Sequence, residues 1–220
     1  MFDAVRDDAE AGRRTADSVL EVSRGHGLEL WLALGALCSS WARARLGDRV
    51  IGMTEFRQAL SAYTDQGNKL LAPFFQGRLA EFEAVGQDAE GALTRIDEAL
   101  TLAQQTGEHW TDGLLHRIRG DILSKADPEN PAPAEDAYLA AITIAREQGA
   151  RSFGLQAALK LAKLYQSTAR PAEAHDALSP ALEGFEPTSE MPEIAEGQAL
   201  LAALADADDA TAHEAAAKFA

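Results

Sequence analysis

The chain has 220 residues, of which 46% are hydrophobic, and its 35 acidic and 20 basic side chains give a formal net charge of −15 at pH 7. This acidity, without a concentrated basic patch, argues against binding to the phosphates of a nucleic acid. The single cysteine, Cys38, excludes an intrachain disulfide framework, and no apolar run approaches the roughly 18 residues that a membrane-spanning helix needs. We therefore expect a cytoplasmic protein that binds neither nucleic acid nor a membrane.

The first predicted element is a leading helix over residues 3–24. Apolar residues recur there at helical spacing, and the sequence from Gly25 to Gly27 is typical of a helix end. Four glycines follow helix-like runs at intervals of 40, 40 and 42 residues, namely Gly27, Gly67, Gly107 and Gly149. A fixed period of this length is typical of an α-solenoid, in which helix pairs bury their apolar faces by stacking on their neighbours.

Each interval contains two helical stretches separated by a turn. The predicted pairs are 28–46 with 50–66, 68–85 with 89–106, 108–125 with the helix that follows the proline-rich turn 127–133, and 150–167 with 171–185. A capping helix over 193–204 and a polar, alanine-rich tail over 205–220 complete the chain. The sequence therefore predicts an all-α, right-handed solenoid of four helix pairs over 28–185, within a single domain over 1–204.

Small and bulky residues recur at matching positions of the predicted pairs. The first helices carry a small residue at Ala80, Gly120 and Ala162, and the second helices carry the trios Ala92, Ile96, Ala99 and Ala134, Tyr138, Ala141. This pattern resembles tetratricopeptide repeats. The chain departs from that family in its period, which is longer than the usual repeat of about 34 residues, and in the absence of a closing proline after Ala99.

A more specific resemblance covers about residues 100–204. The segments from Trp110 to Leu123 and from Ala134 to Ser152 resemble a region near the C-terminus of bacterial class III adenylate/guanylate cyclases that carry a predicted ATPase domain. The long repeat also resembles the helical regions of regulators of the maltose-activator type. The resemblance implies that this chain is the regulatory repeat region of such a signalling protein, or a free-standing relative, with the cyclase and nucleotide-binding parts outside these residues.

The sequence predicts no catalytic residue, no cofactor and no metal ion. A phosphate-binding loop would need a glycine-rich run that ends in Gly-Lys-Ser or Gly-Lys-Thr, and no such run occurs. His109 and His116 are the nearest approach to a metal site, but seven residues of helix separate them by about 10 Å along the axis. We therefore expect that this chain is not an enzyme, even if a full-length parent is a nucleotide cyclase.

Binding is the function that the predicted architecture favours. The first helix of each pair would line a concave side that accepts a protein, a peptide or upstream domains of the same polypeptide. Counting from the small residues gives the candidate partner-binding positions Leu34, Leu37, Trp41, Phe74, Glu81, Leu114, Arg117, Asp121, Gln156 and Lys163. A competing interpretation is that Leu34, Leu37, Trp41 and Phe74 belong to the core between repeats.

Two other functions remain open at this stage. One is the sensing of a small ligand that the superhelix would enclose near Trp41 and Phe74. The other is homo-oligomerisation. The sequence does not specify an oligomeric state.

Overall fold

A computed structural model describes residues 2–86, 88–188 and 191–218 of the chain. Within these ranges all regular structure is helical and no strand occurs, which confirms the predicted all-α class. The chain divides into two compact units, Met1–Thr111 (unit 1) and Asp112–Ala220 (unit 2). Each unit is described by itself, and the single domain over 1–204 stays a prediction.

Unit 1 consists of helices that pack against their neighbours in the sequence. They are α1 (Phe2–Val5), α2 (Ala9–His26), α3 (Glu29–Arg45), α4 (Arg49–Asp65), α5 (Ala72–Val85) and α6 (Ala89–Thr106), followed by a 3-10 turn over His109–Thr111. The predicted turns after α3, α5 and α6 lie where the sequence placed them. The helix predicted over 68–85 begins only at Ala72, because Leu71 adopts a left-handed conformation with φ 64°.

The predicted leading helix over 3–24 is interrupted in the structure. It ends at Val5 and resumes at Ala9 as α2. Asp7 adopts a left-handed conformation with φ 60°, which aspartate tolerates better than most residues. The Asp8 carboxylate then accepts the Ala11 N–H at 2.9 Å and caps α2. The prediction of one continuous helix was wrong because it gave no weight to this aspartate pair.

Unit 2 continues the scheme of consecutive helix pairs. Its helices are α7 (Asp112–Ala126), α8 (Ala132–Glu147), α9 (Arg151–Ser167), α10 (Pro171–Leu182) and α11 (Pro192–Lys218). The last helix packs against α9 and α10. It is longer than the predicted cap over 193–204, because the alanine-rich segment that was expected to be a tail has high helix propensity and continues the helix to Lys218. Residues 219 and 220 of the predicted tail lie outside the described residues.

The four glycines that carry the sequence period share one backbone conformation. Their φ angles are all positive, between 65° and 82°. Gly27 and Gly107 follow α2 and α6 directly, and their N–H groups donate to Ser23 and Ala103. A residue with a Cβ rarely adopts this conformation, so glycine ends helices in this way at little cost.

The amino end of α5 is capped by a residue far along the chain. Leu71 precedes the helix with φ 64°, and its N–H donates to the Glu108 carboxylate at 2.8 and 2.9 Å. The Trp110 indole donates to the same carboxylate at 2.9 Å, and its ring stacks on Phe74 with centroids 5.7 Å apart. Glu108 therefore joins the turn after α6 to the start of α5.

Small residues allow the paired helices to approach closely. A Cβ added at Gly52 of α4 would lie 2.4 Å from the backbone nitrogen of Ala44 in α3. A Cβ added at Gly120 of α7 would lie 2.5 Å from the Tyr138 ring of α8. Both distances are far below a van der Waals contact. The small residue predicted at Gly120 of α7 is therefore required by the Tyr138 ring of α8.

We expect Gly120→Ala to lower the free energy of unfolding by about 1–3 kcal/mol, since the added methyl group overlaps the Tyr138 ring. Gly25→Ala is the matched control. No atom lies within 4 Å of a Cβ at Gly25 in α2, so this change should be neutral or stabilise by about 0.5 kcal/mol through helix propensity. Urea denaturation followed by far-UV circular dichroism measures both. A Gly120→Ala protein as stable as the parent would contradict the close packing of Tyr138.

Candidate functional site

Four of the apolar members of the predicted binding face are buried. Leu37, Trp41 and Phe74 are 0%, 1% and 0% exposed in unit 1, and Leu114 is 1% exposed in unit 2. The expectation that they line an open groove is therefore corrected, since the competing interpretation as core residues holds for Leu37, Trp41 and Phe74. Leu34 is half-buried on α3. Of the polar candidates, Arg117 is buried and the other four are partly exposed.

In unit 1 the polar side chains of α3 and α5 hold the beginning of the chain. The surface formed by Arg45, Arg78 and Glu81 contacts residues 2–8, and we call it the amino-terminal seat. Arg78 donates from Nη2 to the backbone oxygens of Ala4 at 2.7 Å and of Val5 at 3.3 Å. These oxygens belong to the last turn of α1, where the backbone acceptors have no partner within the helix.

The guanidinium of Arg78 is itself buried. Its side chain is 3% exposed, pairs with Glu81 at 2.9 Å and lies 5.5 Å from the centroid of the Phe74 ring. Burying an arginine is unfavourable unless acceptors replace the lost water. The carboxylate of Glu81 and the two α1 oxygens supply these acceptors, so the first residues of the chain complete the environment of Arg78.

Arg45 recognises the corner that follows α1. It binds the Asp7 carboxylate with two parallel hydrogen bonds, one of them 2.8 Å from Nε to Oδ1. It also lies 3.8 Å from Glu81. Such two-point contacts between a guanidinium and a carboxylate fix orientation as well as charge. Of the three residues of the seat, only Glu81 was found from the sequence. Arg45 lies one turn beyond the counted position Trp41, and Arg78 lies between the counted positions Phe74 and Glu81.

In unit 2 the predicted residues Arg117 and Asp121 lie together on α7. The buried guanidinium of Arg117 donates to Asp121 at 2.6 Å, and the Tyr138 hydroxyl donates to the other carboxylate oxygen at 2.8 Å. Lys160 of α9 lies 3.9 Å from the same oxygen. Burial, and then the adjacent Asp121 carboxylate, raise the pKa of Tyr138 far above its usual range. The sequence identified Arg117 and Asp121 but missed Tyr138 and Lys160 as polar partners.

The other two predicted residues of unit 2 contact the last helix of the chain. Gln156 donates to Glu193 at 2.9 Å, and Lys163 forms an ion pair with Glu196. Both acceptors lie in the first turns of α11. The surface formed by Gln156, Lys160 and Lys163 on α9 is here called the α9 face. The lysine side chains of this face remain 43% and 42% exposed.

A cavity of about 260 Å³ opens between α8, α9 and α10. Its apolar lining includes Ile142, Leu155 and Ala181, and two cationic residues, Arg146 and Arg151, also line it. Arg151 lies 4.4 Å from the centroid of the Phe185 ring. This cavity belongs to unit 2 and is not lined by Trp41 or Phe74, the residues at which the sequence placed a ligand pocket.

Neither a metal cluster nor a membrane span is found in the part of the chain that the structure describes. There, no three His, Cys, Asp or Glu side chains come together as ligands, and no helix is both long and apolar enough to cross a bilayer. Cys38 is buried, and this burial raises the pKa of its thiol.

The chain is similar to part of a much longer protein. No protein-family model matches it. An uncharacterized protein of Rhizobium meliloti (strain 1021) is 26% identical over 145 residues, which are 66% of this chain and 14% of that protein. The matched region therefore spans about one seventh of the relative's length.

We expect Asp121→Asn to lower the free energy of unfolding by about 1.5–3 kcal/mol, because it removes the negative charge of Asp121 beside the buried Arg117 guanidinium. Losing a charged hydrogen-bond partner usually has an effect of this size. Asp136→Asn is the matched control, since Asp136 is exposed on α8 and its change should stay within about 0.5 kcal/mol. Urea denaturation compares the two. Equal effects of both substitutions would show that the Asp121 contacts contribute nothing specific.

Proposed function

We propose that the chain is a scaffold that binds proteins or helices through the first helices of its helix pairs. The observation that carries this proposal is that each unit already holds a helical segment there. Arg45 and Arg78 hold the α1 segment in unit 1, and Gln156 and Lys163 hold α11 in unit 2. The same kind of contact, between cationic or amide donors and carboxylate or backbone oxygens, occurs in both.

The proposal includes a fold of tetratricopeptide-like pairs in a right-handed solenoid. The positive-φ glycines at the sequence period and the buried positions of the small-bulky-small trios support it. The resemblance to the C-terminal region of cyclase-ATPase signalling proteins supports the further proposal that the scaffold belongs to a bacterial regulatory protein of the cytoplasm. The match to a small part of a long relative is compatible with a module of a multidomain protein. Its partners would then be upstream domains or separate proteins.

The exposed lysines of the α9 face give the most direct test. We expect a partner captured from lysate of the source organism by the parent chain to be lost with the double variant Lys160→Glu, Lys163→Glu. The reversed charges repel an acidic partner and weaken the contact with α11. Mass spectrometry of the bound proteins is the readout, and a nucleotide cyclase or an associated ATPase among them would support the signalling role.

The control for that experiment changes the net charge of the chain by the same amount, at two lysines outside the α9 face. The double variant Lys69→Glu, Lys125→Glu reverses two exposed lysines outside the α9 face and should capture the same partner as the parent. Identical sets of bound proteins for all three chains would rule out the α9 face as the binding surface.

The cavity between α8, α9 and α10 favours a second candidate function, the binding of a small amphipathic anion. Its apolar wall suits a short hydrocarbon, and Arg146 and Arg151 suit a carboxylate. The volume of about 260 Å³ is below the usual range for drug-sized ligands, so the ligand would be small.

Octanoate should therefore raise the melting temperature of the chain by a few degrees, because a ligand of the folded state stabilises it by mass action. The neutral analogue octanol should have a smaller effect. Arg146→Gln should remove the difference between the two compounds. Equal shifts with octanoate and octanol in the parent chain would exclude a role for the arginines.

A further inference from the structure

We propose that the amino-terminal seat is a docking site for the carboxyl-terminal end of a partner helix that carries a carboxylate two residues after its last turn. Residues 2–8 of the chain are then a tethered occupant that competes with the partner. This inference rests on the proposed scaffold function, since it names the chemistry of the partner that unit 1 would bind.

The first observation is the environment of Arg78. Its guanidinium lies within the unit and points at the two backbone oxygens that close α1. Its Nε atom is buried and, among the described residues, has no hydrogen-bond partner. The present occupant therefore uses only part of the donor capacity of the seat. A partner helix whose last-turn carbonyl oxygens are all free of other contacts offers the additional acceptor, whereas in α1 the Asp3 oxygen already accepts the Asp8 N–H.

The second observation is the charge of the seat. Arg45, Arg78 and Glu81 together carry one net positive charge in a chain whose formal net charge is −15. Asp7 supplies the matching carboxylate, two residues after the end of α1 at Val5. The seat thus recognises a helix end and an acidic side chain at a fixed separation, and neutral or basic segments lack the second element.

The third observation is that α1 is too short to form without contacts to the rest of unit 1. A helix of four residues is not stable by itself in water, so its conformation depends on these contacts. The covalent connection to α2 gives residues 2–8 a high effective concentration at the seat. A partner must therefore outcompete a weak but tethered segment, and weakening the segment should expose the site.

The α9 face also binds carboxylates of a helix, but at the opposite end of that helix. There, Gln156 and Lys163 hold Glu193 and Glu196 in the first turns of α11. Acidic helical segments are thus bound by first-helix residues in both units, and the contact with a carboxyl-terminal helix end is made at the amino-terminal seat.

The test uses the full chain and a peptide with the sequence of residues 2–8, fluorescein-labelled, with its carboxyl end amidated so that no extra carboxylate competes with Asp7. We expect the parent chain to bind this peptide weakly, because its seat is filled. The variant Asp7→Arg should bind it at least about tenfold more tightly, equivalent to about 1.4 kcal/mol. The substitution opposes Arg45 and is strained at φ 60°, and both effects release the tethered segment. Fluorescence anisotropy measures the affinity.

Two further substitutions in the Asp7→Arg chain locate the peptide. Arg45→Gln should abolish the gain in affinity, because it removes the guanidinium that binds the peptide carboxylate and adds no negative charge that could recapture the tethered segment. The partial exposure of Arg45 makes it a safer change than one at the buried Arg78. Arg14→Gln is the matched control, because it neutralises an arginine of α2 that is 70% exposed, and it should retain the gain. A peptide with asparagine in place of Asp7 should bind at least about tenfold more weakly than the parent peptide.

Hydrogen exchange shows whether the segment was released. The Asp8 N–H donates to the Asp3 oxygen at 2.8 Å while α1 is formed, so its exchange should accelerate in Asp7→Arg. Accelerated exchange without peptide binding would overturn the proposal.

The outcomes also separate this inference from the proposed function. Partner capture through the lysines of the α9 face does not involve the seat. Capture without peptide binding would reject the seat alone, whereas peptide binding without any captured partner would reject the wider scaffold and leave the seat as an intramolecular latch.

Discussion

The close approach of paired helices is the constraint on which the rest of each unit depends. Gly52 faces the Ala44 backbone directly, and at Gly120 the Tyr138 ring fills the space between the two helices. Interiors are packed closely enough that a single added methyl group must displace a neighbour. Contacts between neighbouring side chains depend on this spacing. Asp121, for example, accepts from the Tyr138 hydroxyl because the ring packs directly against α7 at Gly120.

The helix pairs could be predicted from the sequence because their signals are local. Gly27, Gly67, Gly107 and Gly149 each sit at a turn and adopt a positive φ, so the period reported a real backbone requirement. Two helix boundaries were harder to predict. The helix α10 ends at Leu182 instead of 185, and the predicted leading helix is broken between Val5 and Ala9. The spacing of the apolar residues around Asp7 and Asp8 fits one continuous helix as well as two helices. The structure shows two, because the Asp8 carboxylate accepts the Ala11 N–H and caps α2.

The candidate site could be predicted only in part, for a different reason. Counting from the small residues identified the correct helices, and Arg117, Asp121, Gln156 and Lys163 do lie among polar contacts. Sequence periodicity does not say which elements cover a face. The segments that contact these helices, α1 and α11, come from the two ends of the chain, so their contacts with Arg78 and Gln156 span 74 and 37 residues. Non-local contacts of this kind leave no periodic signal.

The cap that Glu108 provides for α5 has a consequence for the order in which unit 1 folds. Leu71 begins the helix in a left-handed conformation, and the carboxylate that accepts its N–H lies 37 residues further along. A chain that emerges from the ribosome would contain all of α5 and α6 before this contact could close. The first turn of α5 therefore completes late, after the ends of a long loop have met. Trp110 stacks on Phe74 and donates to the same Glu108 carboxylate, so this stacking forms together with the cap. The indole of Trp110 therefore reports the late capping of α5.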